Sequence, residues 1–469
     1  MATHDPVRTG DPGADLALLR AAADAALAYV ATVDERAVAP TAAALAALDG
    51  FDEPLPEHGA DPAASIDLLA RLGGPATMAT TGARYFGFVN GATLPAALAA
   101  AWLGAAWDQN AALPVMSPIA ARLHDVVRAW LVDVLRLPAG TGVAFVSGAT
   151  VANATCLAAA RDALLARRGW DVQADGLFGA PPLPVVIGAQ AHSTLAKSLG
   201  LVGLGRRRVH VVPADDQGRL RADALRRLDE RADLDGPVLV CAQAGEVNTG
   251  AFDPFDDIAD WLAARPDGGW LHVDGAFGLW ALADPSRAAL VRGLDRADSW
   301  ATDGHKWLNV TYDCGIAFVR DLAPLRHTFA AVAGYLPAGD AFEAMHHTPQ
   351  SSQRARQIEV WAALRTLGRD GVRRLVADAC DAAAHLADRL RAGGLQVLND
   401  VVLNQVLVRA GDDAATEALL AAVQPDGRIW CGPTRWQDRT AMRISVSSWK
   451  TTVADADAAA DVIVALAAR

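Results

Sequence analysis

Leu16, Leu19, Ala23, Leu27 and Val30 recur at three- and four-residue steps, which predicts a helix from Asp15 onward. Residues 1–13, polar and interrupted by glycine and proline, read as a loose arm. The stretch from about 50 to 63 carries three prolines and several acids and reads as a connection. Ser117-Pro118 has the form of an N-cap followed by a first-turn proline, and Ile119, Leu123, Val126, Trp130 and Val134 continue it as one apolar stripe. From Gly142 the period changes. Short apolar runs at 143–146, 184–187, 209–212, 238–242, 270–273 and 315–319 are separated by helical or turn segments. That alternation predicts an α/β fold, a mostly parallel central sheet with helices on both faces. Beyond about 330, a loop-like segment leads to a helix near 356–368 and a long one near 371–392. Two further runs, 401–408 and 441–446, and a final alanine-rich helix predict a smaller C-terminal α+β domain. The expected organisation is 1–60 as an N-terminal arm and helices, 61–330 as the large domain, and 331–469 as a loop plus the small domain.

Composition narrows the function classes. The chain of 469 residues is 52% hydrophobic and 20% charged, which fits a packed globular protein and excludes a disordered one. A net charge of -12 speaks against binding nucleic acid through a basic field. The five cysteines form no C-x-x-C pair and favour a reducing compartment over a disulfide framework or a cysteine-rich zinc site. No basic segment followed by an apolar core opens the chain, and the run Leu94–Trp107 falls short of the ~20 residues that span a bilayer. The expectation is a cytoplasmic protein with no membrane partner and no metal. Lysine occurs only at Lys197, Lys306 and Lys450, arginine supplying the rest of the 42 basic residues. Since arginine stays protonated, amine chemistry has three side-chain candidates.

In an open α/β sheet, ligands collect beyond the carboxyl ends of the strands. Ser147-Gly148-Ala149-Thr150 follows a strand and opens a helix, where small residues and free amides suit an anion; an ordinary strand-to-helix turn is the alternative. It is no Walker loop, and Gly200–Gly205 lacks the dinucleotide spacing. Asp274 ends an apolar strand, where it can pair with a protonated ring nitrogen or bond its own turn. His272, two residues earlier, reads as packed inside the sheet. Lys306, beside His305 and between Gly304 and Trp307, suits covalent attachment of a carbonyl, because desolvation and a neighbouring cation lower an amine's pKa.

In this order the motifs resemble the group II pyridoxal-5'-phosphate-dependent amino-acid decarboxylases, which have the aspartate-aminotransferase fold (fold type I). Residues 147–153 (SGATVAN) resemble the family's S-G-G-[ST]-x-A-N turn, and His272–Phe277 its H-V-D-A-A-[YF] strand end. Ser299 with Asp303–Trp307 resembles S-x-x-x-D-x-H-K-W, and Gln190–Ser193 the strand-end histidine segment. The resemblance runs from about residue 15 to the C-terminus and includes Met442–Ser445. It implies that pyridoxal 5'-phosphate is held covalently by Lys306. Asp274 would keep the pyridine nitrogen protonated so that the ring accepts electrons from Cα. His192 would stack on one ring face and Ala276 pack on the other. Gly148, Ala149, Thr150 and His305 would contact the phosphate. Asn90, Trp107 and Arg356 are the substrate-side candidates, with Arg354 and Arg443 behind them.

Departures from the family pattern matter as well. Gly245-Glu246-Val247-Asn248-Thr249 stands where many relatives have Gly-Thr-Thr, leaving Asn248 as the substitute cofactor contact. Gly275 and Gly304 add backbone freedom. Counting back from Arg354, Arg356 and Trp361 aligns Tyr335 with an earlier Tyr-Leu pair instead of the loop tyrosine that returns a proton to Cα. His346, His347 and His192 are then the other proton donors. His346-His347 shows no acidic partner at metal-ligand spacing and reads as loop. The expected activity is decarboxylation of an L-amino acid, an aromatic one first, by a homodimer whose active sites lie between subunits. An aldehyde synthase or carbon–carbon lyase on the same scaffold is one rival, and a non-catalytic partner protein is another.

Overall fold

The computed structural model describes residues 12–230, 234–330 and 342–469. Seven strands build the large sheet: β1 Gly142–Val146, β2 Val185–Gly188, β3 His210–Val212, β4 Val238–Gln243, β5 Gly269–Asp274, β6 Ser299–Asp303 and β7 Gly315–Val319. Their spatial order is β1-β7-β6-β5-β4-β2-β3. The run from β6 through β5, β4 and β2 to β3 is parallel, and β7 lies antiparallel between β1 and β6. This is the expected α/β sheet, and its inner apolar runs are buried because helices cover both faces, while edge strand β3 leaves Val211 exposed.

Strand β6 was not foreseen, because Ser-Trp-Ala-Thr-Asp is not an apolar run. Its polar members are satisfied inside the sheet. Ser299 Oγ accepts from Trp270 Nε1 at 2.8 Å, and Trp300 Nε1 donates to the Leu294 carbonyl at 2.9 Å. Burial of such a strand costs little once each polar atom has a partner.

A second sheet is antiparallel, in the order β10-β11-β9-β8, with β8 Gln396–Val397, β9 Gln405–Arg409, β10 Gly432–Trp436 and β11 Arg439–Ser445. Helices Gln357–Ala392, Asp413–Asp426 and Val453–Ala467 accompany it. The first of these breaks at Gly368 (φ 62°, ψ 179°), which separates the two helices expected there. The expected helix after Ser117 is Pro118–Val134, capped by Ser117 Oγ on the Ala120 amide. Its buried stripe is Ala120, His124, Val127, Leu131 and Val134, one position round from the stripe predicted. The predicted face is half-used: Leu123 packs against the cluster of Ala100, Ala120, Ala355 and Ile358, and Trp130 stacks on Trp361. Helix Pro12–Thr32 forms as expected, but it buries none of its residues in this chain.

Candidate active site

Every loop that bears the expected chemistry leaves the same edge of the sheet. Parallel strands β2, β4, β5 and β6 end there, β1 ends there too, and antiparallel β7 begins there. The approach is tight: a Cβ on Gly315 would stand 2.4 Å from the Gly148 backbone, and one on Gly91 only 1.8 Å from the Lys306 carbonyl oxygen. Glycine at these two positions lets the segments meet. A cavity of about 290 Å³ opens between them. Its walls include Gly148, Ala149 and Thr150 from the β1 turn, His192 from β2, and Asp274 and Ala276 from β5. Asp303, His305 and Lys306 follow from β6, and Phe88, Asn90 and Tyr312 form another wall.

Asp274 is a buried charge at the end of β5. Oδ2 accepts from Asn153 Nδ2 at 3.0 Å and Oδ1 from the Ala276 amide at 3.2 Å. Burial pushes its carboxyl above the ordinary range, while His192, Lys306 and these two donors oppose that rise. Behind it runs a chain of bonds with a single direction. Trp270 Nε1 donates to Ser299 Oγ, the Ser299 hydroxyl serves His272 Nδ1 at 2.9 Å, and His272 Nε2 faces Asn153 Oδ1 at 2.8 Å. Because Asp274 only accepts, Asn153 must present its NH₂ forward and its oxygen back, so His272 carries its proton on Nε2. Burial holds that imidazole neutral, its pKa lowered to about 3. His272 therefore lies inside the sheet, as expected, and supports Asp274 through one intermediary.

His192 caps helix Ser193–Leu201, its Nδ1 bonded by the Thr194 hydroxyl at 2.7 Å and amide at 3.3 Å. Burial lowers its pKa, so its ring is neutral. His305 Nδ1 accepts the Cys314 amide at 3.0 Å, which leaves the proton on Nε2. Lys306 Nζ stands 3.2 Å from Asp303 Oδ2. The lysine's backbone is tied down by Asn309, whose Nδ2 donates to the carbonyls of Trp307 (2.8 Å) and Ser447 (3.0 Å). Asn309 Oδ1 accepts the Trp449 amide at 3.0 Å.

Three sequence candidates lie elsewhere. Asn248 is not among the cavity-lining residues: its Nδ2 donates to Glu246 Oε1 at 2.9 Å and its Oδ1 accepts from Thr434 at 2.7 Å. Glu246, whose target was open, collects the amides of Asn248 and Thr249 and so organises the 246–249 turn. Arg356 is buried, its Nε 3.1 Å from Asp313 Oδ1, and Arg354 spans Asp313 and Glu359. Both are engaged in an internal ion-pair group and not turned to the cavity. Trp107 ends helix Pro95–Trp107, 45% exposed and outside the cavity wall. Asn90 does reach the wall, where its Oδ1 accepts from Tyr312 at 2.9 Å.

Neither His346 nor His347 lines the cavity. His346 Nε2 pairs with Glu343 at 3.3 Å, and the His347 ring stacks on Phe342, which stacks in turn on His124. Tyr335 lies outside the described residues. Sequence reading missed Asn153, Asp303 and Tyr312 as site residues, although the first two sit inside motifs it had singled out.

Residues 76–409 match the family described as pyridoxal-dependent decarboxylase conserved domain. The chain belongs to that family. Membership makes pyridoxal phosphate the cofactor, and the donor set suits it: a helix start for the phosphate, a buried carboxylate for the ring nitrogen, and an amine within the same cavity. Histidine decarboxylase of Rattus norvegicus is 30% identical over 359 residues, covering 72% of this chain and 54% of that protein. L-2,4-diaminobutyrate decarboxylase of Rhizobium meliloti (strain 1021) is 33% identical over 344 residues, covering 70% and 65%. The chain thus spans roughly half to two-thirds of the length of these curated relatives. The fold is that of Oryza sativa TDC, solved with PLP and tryptamine: the TM-score is 0.90 at 23% identity, covering 98% of both chains.

Proposed function

We propose that the chain decarboxylates an L-amino acid with a neutral, planar side chain, aromatic or heteroaromatic, giving the amine and carbon dioxide. The observation that carries this reading is the meeting of Lys306 and Asp274 in one cavity, on a chain with only three lysines. Lys306 would hold the cofactor covalently, Asp274 its ring nitrogen, and His192 and Ala276 its two faces. The amides at Gly148–Thr150 and the His305 Nε2–H would hold its phosphate. Bound pyridoxal phosphate supplies an electron sink for the pair left on Cα when the carboxylate departs.

The chain's own part is electrostatic and steric. Asn153 and the Ala276 amide keep Asp274 aimed at the cavity, so a cationic ring nitrogen there offsets the cost of burying the carboxylate. Neutral His192 provides a flat, polarizable face without adding charge beside the ring. Phe88, Phe277 and Tyr312 supply aromatic wall, and Asn90 and the Tyr312 hydroxyl a polar edge. Among the described lining residues there is no arginine, and the two carboxylates, Asp274 and Asp303, are already engaged. That favours a neutral side chain over an acidic or diamino one.

Activity is also expected to need two copies. Helix Pro12–Thr32 exposes Leu16, Leu19, Leu27 and Val30, and a groove walled by Leu98, Trp102 and Trp449 runs beside it. Such apolar surface favours a homodimer.

Measuring released carbon dioxide across the amino acids tests the substrate reading; release only from aspartate, glutamate or diamino acids would refute it. Lys306→Ala is expected to abolish turnover, and borohydride reduction of the wild type should leave the cofactor on the peptide containing Lys306. Label on Lys197 or Lys450 instead would overturn the assignment.

A further inference from the structure

Strand β6 ends on Asp303, whose side chain is almost fully enclosed and touches what the cofactor needs. Oδ1 accepts the Ala149 amide at 2.6 Å and lies 3.5 Å from His305 Nε2. Oδ2 stands 3.2 Å from Lys306 Nζ. The Ala149 amide is the first of helix Ala149–Ala166, and with His305 it belongs to the proposed phosphate seat. One carboxylate therefore engages a phosphate donor, a second phosphate contact and the nucleophilic amine together.

Its backbone gives it little room to withdraw. The Asp303 amide donates to the Ala276 carbonyl at 2.9 Å, and its own carbonyl accepts Trp280 Nε1 at 3.2 Å. A phosphate at this seat must sit beside a fixed negative charge in surroundings where charges are poorly screened. Oδ2 also holds the Lys306 amine in a pair that must open before the nitrogen can reach an aldehyde.

We propose that Asp303 sets cofactor affinity: it shapes the phosphate seat through the Ala149 amide while opposing the phosphate's charge and restraining the lysine. The cofactor is then held less tightly than an uncharged acceptor at this position would allow. This rests on the phosphate seat and the lysine assigned above.

The test uses the full-length chain stripped of cofactor, as wild type, Asp303→Asn and Asp303→Ser. Asparagine keeps an acceptor for the Ala149 amide without the charge, and serine does so with less bulk. Three probes separate the effects. Inorganic phosphate, followed by calorimetry, reads charge repulsion alone. Pyridoxal, which lacks the phosphate, reads the amine alone, and pyridoxal phosphate reads both through the visible band of the lysine-linked cofactor. Both variants are expected to bind inorganic phosphate roughly tenfold more tightly or better, as removal of one like charge near the seat implies. Pyridoxal phosphate should tighten more than pyridoxal. Unchanged or weaker phosphate binding in the variants, with a normal wild-type band, would overturn the role of Asp303 alone. Absence of the band from the wild type would instead overturn the lysine assignment beneath it. If asparagine impairs folding by circular dichroism, the serine variant and the rate of cofactor release decide, slower release supporting the proposal and equal or faster release refuting it.

Discussion

His272 does not line the cavity, yet it reaches Asp274 through the carboxamide of Asn153. With its pKa near 3 against the ordinary 6.5, the folded chain refuses a proton that the unfolded chain accepts. Above pH 6.5 both states hold a neutral ring, so its contribution to stability is complete. As pH falls from 6.5 toward 3 the contribution is lost at about 1.4 kcal/mol per pH unit, and below 3 the slope ends. Urea titrations at pH 7 and pH 5 should show the wild type losing about 2 kcal/mol more than His272→Gln over that interval. An equal loss in both would mean that the folded ring takes up its proton as readily as the unfolded one. Asn153→Leu should also weaken cofactor binding, since it removes one bond each from Asp274 Oδ2 and His272 Nε2 at a cost of about 1–3 kcal/mol each. A cofactor titration followed by absorbance checks it.

Elements were legible where burial alone selected their residues. The runs that became β1, β4 and β7 are apolar throughout, that of β5 is apolar but for His272, and each strand is wholly or almost wholly buried. Strand β6 was missed because partners in the fold, invisible in a linear pattern, satisfy its polar groups, and strand β10 (Gly-Pro-Thr-Arg-Trp) because it is an edge strand with Pro433 and Arg435 exposed. Helix Pro118–Val134 was legible as a helix, but its face was not: two apolar stripes serve two different neighbours, and periodicity cannot rank them. Helix Pro12–Thr32 is another case: the helix forms as read, but Leu16, Leu19, Leu27 and Val30 of its stripe are exposed, and the partly covered positions are Leu18, Ala22, Ala23, Ala26 and Tyr29. Paired substitution of Leu19 and Leu27 by glutamate should cost the single chain little. It should shift sedimentation from dimer toward monomer, with loss of turnover. A monomeric wild type, or a variant still dimeric, would refute the role given to this helix.

Across the whole molecule, motif order made the site legible, and distance in sequence hid its mechanics. Gly148, His192, Asp274 and Lys306 could be placed together because strands of one sheet deliver them to one edge. Arg356 and Asn248 were assigned to ligands because sequence could not reveal that Asp313, Glu246 and Thr434 claim them first. Asn309→Ala should lower stability by about 1–3 kcal/mol through lost buried bonds, read by thermal denaturation against wild type. Asn309 is also a mechanical link. One carboxamide clips the stretch just past the anchoring lysine to Ser447 and Trp449, well over a hundred residues downstream. A displacement of the 447–449 segment is thereby passed to the amine as a tug on its own peptide chain for as long as the tether holds.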